Sequence, residues 1–390
     1  MFRPLVFSSL ATLAVLTSCH PTVERNVAGP APNAVYFITD QQTTGQIAAL
    51  PIETDGRVSA GTLTPLGSGP PANETELSLL SAQYSIIVVE NYLFSISGGS
   101  NTLNMFEIDR SDPTKLTRVG DAVTTEQYPI SVAASLKHSL VCVANAGDSI
   151  AGVACAAFDG KNGIGKLDAV RSYFTPESLP ATGPFNTVGA IFFNNQETAL
   201  YTTIKGNQIA PAGTFISVFP LNNGVVSRTQ IANYPKDVQF LYGSQFIPGT
   251  DLIFATDITN AAVIDVDSFS SAVTEYVTTI PNNFCSCWTA YSQKTGTGFV
   301  SDPLNPYIAE IDLYKNDLIS QPAASAGMLD IAAAGNYVYA LSVGTATDLL
   351  TEITVFDVSG GRGTIHSVQT FAPAGGSVYS QGLALYTGSN

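Results

Sequence analysis

Seven polar residues stand at matching places in seven similar stretches of this chain: Asp40, Ser97, Asn145, Lys205, Asp257, Asp302 and Ser342. Each closes a short apolar, β-branched run, as in 34–40 (AVYFITD), 140–145 (LVCVAN) and 252–257 (LIFATD). Three carboxylates near one another would raise each other's pKa by repulsion, so that one could act as a general acid or base near neutral pH. The single cation of the set, Lys205, could anchor a carboxylate or stabilise a developing oxyanion. The expected catalytic set is therefore Lys205, Asp257 and Asp302. Asp40, Ser97, Asn145 and Ser342 would contact a ligand. The plainer reading of any one strand-end Asp or Asn is that it caps a turn.

A second tier comes from the residues that begin the strand before each of these runs: Gln83, Tyr128, Asn186, Gln245, Trp288, Asp330 and Gln381. Trp288 is the only tryptophan and could stack on a sugar or aromatic ring. Other constellations are missing. The three histidines, His20, His138 and His366, fall away from both tiers, so neither a Ser-His-Asp arrangement nor a histidine zinc site assembles. The oxygen-bearing ring could hold Ca²⁺, although no loop has calcium-specific spacing. Apart from that cation, no cofactor is expected and no metal ligand is assigned.

The elements that must position these residues are strands. The seven strand-end residues are separated by 57, 48, 60, 52, 45 and 40 residues, and each interval holds several short strands. A repeat of that length with several strands per copy predicts a seven-bladed β-propeller, an all-β fold. Loops after second strands and loops into first strands open on one face, so both tiers should ring one mouth of the central channel. The first copy lacks its opening strand, and a matching one, 381–387 (QGLALYT), stands at the other end. The C-terminal strand is therefore expected to complete the first blade. The predicted blades are 34–80, 81–126, 127–182, 183–236, 237–282, 283–326 and 327–378, with 379–390 returning to the first. No amphipathic helix is expected after residue 30.

Residues 1–19 read as a secretory signal peptide and 20–33 as a leader, which leaves 34–390 as the propeller and a secreted protein as the expectation. Leu16-Thr17-Ser18-Cys19 also loosely fits a lipoprotein cleavage box. No later run is long enough for a membrane helix. If Asn145 pairs with Gly152, Cys142 falls opposite Cys155, close enough for a cross-strand disulfide. Cys285 and Cys287 lie two apart. On a strand they share a face, where a bond between them would be strained, so free thiols or a weak metal pair remain open. Asn73-Glu74-Thr75 is a glycosylation sequon at Asn73. A net charge of −15 makes nucleic acid a poor partner. The expected partner is a small molecule or glycan bound by a monomer.

Several local phrases resemble a known family: 93–120 (LFSISGGSNTLNMFEIDRSDPTKLTRVG), PISVAAS with VCVANAG in the third blade, TTIKG in the fourth and GFVSDP in the sixth. They are similar to the seven-bladed lactonase family, which includes bacterial 6-phosphogluconolactonase and fungal carboxymuconate lactonising enzyme. The nearest likeness is to secreted fungal carboxymuconate-cyclase-like proteins. The resemblance implies lactone hydrolysis or cyclisation at the channel mouth, using His, Arg and Glu. This chain has Gly183-Pro184-Phe185-Asn186 where relatives carry a Pro-His pair, and at most Asp257 for the Glu. No arginine aligns with the ring. One lysine among carboxylates cannot offset a phosphosugar or tricarboxylate. Three readings follow: a lactonase or cycloisomerase-like enzyme on a neutral or singly charged lactone, sugar acid or aromatic; a non-catalytic glycan- or protein-binding propeller; and a Ca²⁺-dependent hydrolase.

Overall fold

The near-continuous apolar character of each short run suits a pleated strand with both faces covered, and the structure, a computed structural model, has strands at all seven places. It describes residues 33–40, 45–69, 82–147, 149–173, 187–206, 213–343 and 351–388. These form seven antiparallel sheets of four or five strands within one unit, Ala31–Asn390. The fold is a seven-bladed β-propeller. Among the described residues there is no α-helix. Among them the chain makes a 3₁₀ turn at Gly98–Ser100, where two glycines follow the strand end.

The ring is closed as the repeat predicts. The first blade runs Thr62–Pro65, Gln46–Ile52, Asn33–Ile38, Gln381–Thr387, so its innermost strand is C-terminal. Tyr36 faces Ala384 and Asn33 faces Thr387 across that join. Side chains then fill the space between blades. Val35 and Phe37 of the first blade pack with Tyr339, Leu341 and Val355 of the seventh, and Leu383 belongs to the same cluster.

Near the pore, the inner strands of the fourth and fifth blades come very close to their neighbours. A Cβ on Gly189 would lie 2.1 Å from the Tyr242 carbonyl oxygen, and one on Gly243 would lie 2.5 Å from that of Cys287. Only hydrogen fits at either position, and this lets the fourth, fifth and sixth blades converge.

The third blade pairs Leu140–Asn145 with Gly152–Asp159, with Asn145 opposite Gly152 and Cys142 opposite Cys155. The two cysteines are bonded, with Cα atoms 4.1 Å apart. The bond spans a sequence separation of 13, and closing so short a loop in the unfolded chain corresponds to about 3 kcal/mol. The double variant Cys142→Ser, Cys155→Ser should lose about that much in denaturant unfolding, and an unchanged midpoint would show that the bond contributes nothing. Cys285 and Cys287 are also bonded, with Cα atoms 5.6 Å apart. The same-face argument does not apply to them, because the regular strand starts only at Trp288. Asn73, Asn186 and residues 1–32 lie outside the described residues. No helix among the described residues is long and apolar enough to cross a membrane.

Candidate functional site

A strand-end carboxylate can either face solvent or cap the neighbouring loop, and hydrogen bonds decide which. In the sixth blade Asp302 accepts the backbone N–H groups of Phe284 (2.6 Å) and Cys285 (3.1 Å) on one oxygen and that of Leu304 (2.8 Å) on the other. In the fifth blade Asp257 accepts those of Gln239 and Phe240, both at 2.9 Å, and the Asn260 amide at 3.4 Å. The two residues hold equivalent loops, each leading into the inner strand of its own blade. Burial raises the Asp257 pKa above the ordinary carboxylate value, and the hydrogen bonds only partly offset it. Charge-assisted bonds of this kind contribute about 1.5–3 kcal/mol each, less when several share one group. Asp302→Ala should therefore cost about 2–4 kcal/mol in denaturant unfolding. A loss below half a kilocalorie would show that water replaces the carboxylate freely.

The rest of the expected ring is also sequestered. Ser97, Asn145, Lys205, Asp257, Asp302 and Ser342 are all 3% exposed or less, and only Asp40 is partly exposed. Lys205 places Nζ 4.0 Å from the centroid of the Tyr242 ring. The Ser97 hydroxyl accepts from that of Ser100 at 2.7 Å. The Asn145 amide and the Ser342 hydroxyl are buried without a hydrogen-bond partner. Symmetry did place the seven residues equivalently, but six of the side chains are enclosed by the protein, and Asp257, Asp302 and Ser97 have internal hydrogen-bond partners.

The strand-start tier divides. Tyr128 and Gln381 are buried, with the Tyr128 N–H donated to Asn101 Oδ1 at 2.9 Å. Trp288 is 2% exposed and packs on Tyr242 with ring centroids 5.0 Å apart, which makes it a core residue. Gln83 crosses the pore. Its N–H bonds to the Gly189 carbonyl of the fourth blade at 2.9 Å. Its amide donates to the Thr289 carbonyl of the sixth blade at 2.7 Å and accepts the Thr289 hydroxyl at 3.1 Å. The next residue, Tyr84, accepts the Val132 N–H of the third blade at 2.8 Å. This segment bridges four blades across the end of the pore where second strands finish.

Beneath the bridge lies a cavity of about 170 Å³. Gln83, Tyr84, Gln245, Thr289 and Asp330 are its polar wall; Tyr291, Ile331, Ala332 and Leu383 are among the rest. The lining is buried at Asp330 and Gln83 and part-exposed at Tyr291, Ala332 and Ala333. The chamber therefore opens toward the hairpin turns, on the face opposite the expected mouth. Three strand-start residues, Gln83, Gln245 and Asp330, are brought together here. No lysine or arginine lines it among the described residues.

Asp330 gives the chamber its chemistry. Its carboxyl accepts the Ile331 N–H at 2.8 Å and that of Leu383, and both bonds favour the anion. Burial outweighs them and pushes the pKa well above the ordinary 3.8. Burial, with Asp330 beside it, likewise raises the Tyr84 phenol. A protonated carboxyl and a phenol are both hydrogen-bond donors, a pair suited to a carbonyl oxygen that gains negative charge. Gln245 Nε2, buried and without a partner, is a third donor. Alignment of the repeats points to strand-start positions but stops one residue short of Tyr84, whose φ of 66° departs from the extended backbone that a strand-start position implies.

No protein-family model matches the chain, and no curated protein matches it. Solved structures do. A periplasmic gluconolactonase of Pseudomonas aeruginosa superposes with a TM-score of 0.68 at 12% identity, over 92% of this chain and 100% of the other. A putative 6-phosphogluconolactonase from Bacteroides fragilis gives 0.64 at 10%, over 91% and 98%. A second, from Bacteroides uniformis, gives 0.63 at 14%, over 90% and 99%. At such identities the likeness shows the fold alone, a seven-bladed propeller. The nearer likeness to fungal cyclase-like proteins rests on the sequence phrases alone.

Proposed function

We propose that this lactonase-type propeller binds an uncharged polar ring, best a sugar lactone, in the chamber beneath Gln83 and opens it hydrolytically. One observation carries the reading: a buried carboxyl whose surroundings disfavour its charged form lines a pore chamber that has no cation in its described lining. A cavity near 150 Å³ accepts a benzene-sized guest, so about 170 Å³ suits one six-membered ring. A phosphorylated ring would need cations, and its charge would meet Asp330, so the gluconolactonase-like substrate fits better than its phosphate.

Asp330 and Tyr84 donate to the lactone carbonyl oxygen. A water adds to the carbonyl carbon, and the oxyanion formed keeps both hydrogen bonds. Collapse breaks the bond between that carbon and the ring oxygen, which takes up the proton released by the water. The product is the hydroxy acid. Asp257 and Asp302 support this chemistry by fixing loops, and Lys205 by packing on the Tyr242 ring. Export is part of the proposal, supported by residues 1–19, the two disulfides and the likeness to a periplasmic protein.

The test is proton release from glucono-δ-lactone and from its 6-phosphate at constant pH, corrected for spontaneous opening. Saturable catalysis of the neutral lactone with at least tenfold preference over the phosphate is expected. Preference for the phosphate, or no binding of either, rejects the reading.

A further inference from the structure

A second, wide-open hollow, of about 290 Å³, lies on the other side of Tyr84. Ile87, Ala134 and Phe193 present part-exposed apolar side chains to it, with Val132 and Ile191 buried behind them, and Asn194, Asn195 and Glu197 stand at its outer end, in the hairpin turn of the fourth blade. Tyr84 lines both cavities, and its ring meets Phe192 edge-on at 6.4 Å. The pore thus offers a polar chamber and an apolar one that share a single side chain as their wall.

We infer that the natural ligand is a polar ring bearing an uncharged alkyl or aryl substituent, with the ring in the Asp330 chamber and the substituent in the apolar chamber beyond Tyr84. The inference rests on the pore-binding reading above and adds the class of substituent. The apolar wall gains from every methylene it removes from water. The described linings of both chambers carry no lysine or arginine, and the Glu197 carboxylate disfavours an anionic tail. A benzene-sized guest needs about 150 Å³, so an aryl ring or a medium alkyl chain fits.

Calorimetric titration of the full chain with δ-valerolactam and its propyl, pentyl and heptyl derivatives tests this, because the lactam bond survives the experiment. Affinity should climb about fourfold per methylene until the chamber is full. Ala134→Phe fills the apolar chamber from the inner strand Pro129–Ser135 without touching the lining around Asp330. That variant should abolish the climb and leave the affinity for the unsubstituted lactam within about twofold of the wild type. Ala134→Leu, with an unchanged melting temperature as control, gives the same reading if the phenylalanine does not fold. If the lactam binds with equal affinity at every chain length, or the climb persists in both variants, the second chamber is not a subsite and the ring-binding reading stands. If heptanol binds as tightly as the heptyl lactam, the chambers do not act together. If no lactam binds at all, the ring-binding reading fails and takes this inference with it.

Discussion

A chain that ends at Ser380 should not fold. The lost strand, Gln381–Thr387, is the inner strand of the first blade and pairs along Asn33–Ile38. Leu383, Ala384 and Tyr386 are 7% exposed or less, so their removal uncovers the seam with the second and seventh blades. Each large buried side chain contributes about 1.5–3 kcal/mol, and each backbone hydrogen bond adds about 1 kcal/mol net. Against a total stability of about 5–15 kcal/mol, the whole strand is decisive. The truncated chain would also present an unpaired inner edge and should aggregate. Circular dichroism melting and gel filtration measure this. The full chain should melt cooperatively as a discrete species, whereas the truncated chain should show no transition. A synthetic peptide covering 379–390, added during refolding, should restore part of it. A truncated protein that melts within a few degrees of the full chain would show that the ring closes without its last strand.

Asp330→Ala should lower lactone opening by about 10²–10³-fold, the usual effect of removing one donor from an oxyanion site. The pH dependence separates this from a structural role. The donor is the neutral acid, and burial has raised its pKa, so wild-type activity should hold above the ordinary carboxylate range and fall as Asp330 ionises. Asp330→Asn keeps a donor at every pH. Its rate should be reduced less than that of the alanine variant, and its alkaline fall should vanish. Stability follows the same group. Between the unfolded value near 3.9 and the raised folded value, the folded chain binds more protons than the unfolded chain, so stability declines as pH rises. The slope is at most about 1.4 kcal/mol per pH unit and is largely removed in Asp330→Asn. If wild type and Asp330→Asn have superimposable pH profiles for both rate and melting, the neutral-donor assignment is wrong.

The two tiers were legible to different degrees for a physical reason. A strand-end position is a statement about the backbone, and the repeat places Asp302 and Asp257 equivalently because successive blades are the same unit rotated about the pore. What the carboxylates do there depends on whether loop N–H groups approach them, and Phe284, Cys285, Gln239 and Phe240 all do. Trp288 shows the same limit. Its place at a strand start could be read, but its burial against Tyr242 depends on how the fifth and sixth blades meet. Asp330 could be found by alignment, yet its raised pKa follows from being enclosed by four other blades.

Local pattern alone settled the blade count, the opposition of Cys142 and Cys155, and the return of residues 381–387 to the first blade, because alternation and repeat length act over a few residues at a time. The open face of the pore, the bridge that Gln83 and Tyr84 make across it, and the raised pKa of the acid beneath that bridge were decided by tertiary structure. Each is a property of space between blades distant in sequence, and it exists only once the circle has closed.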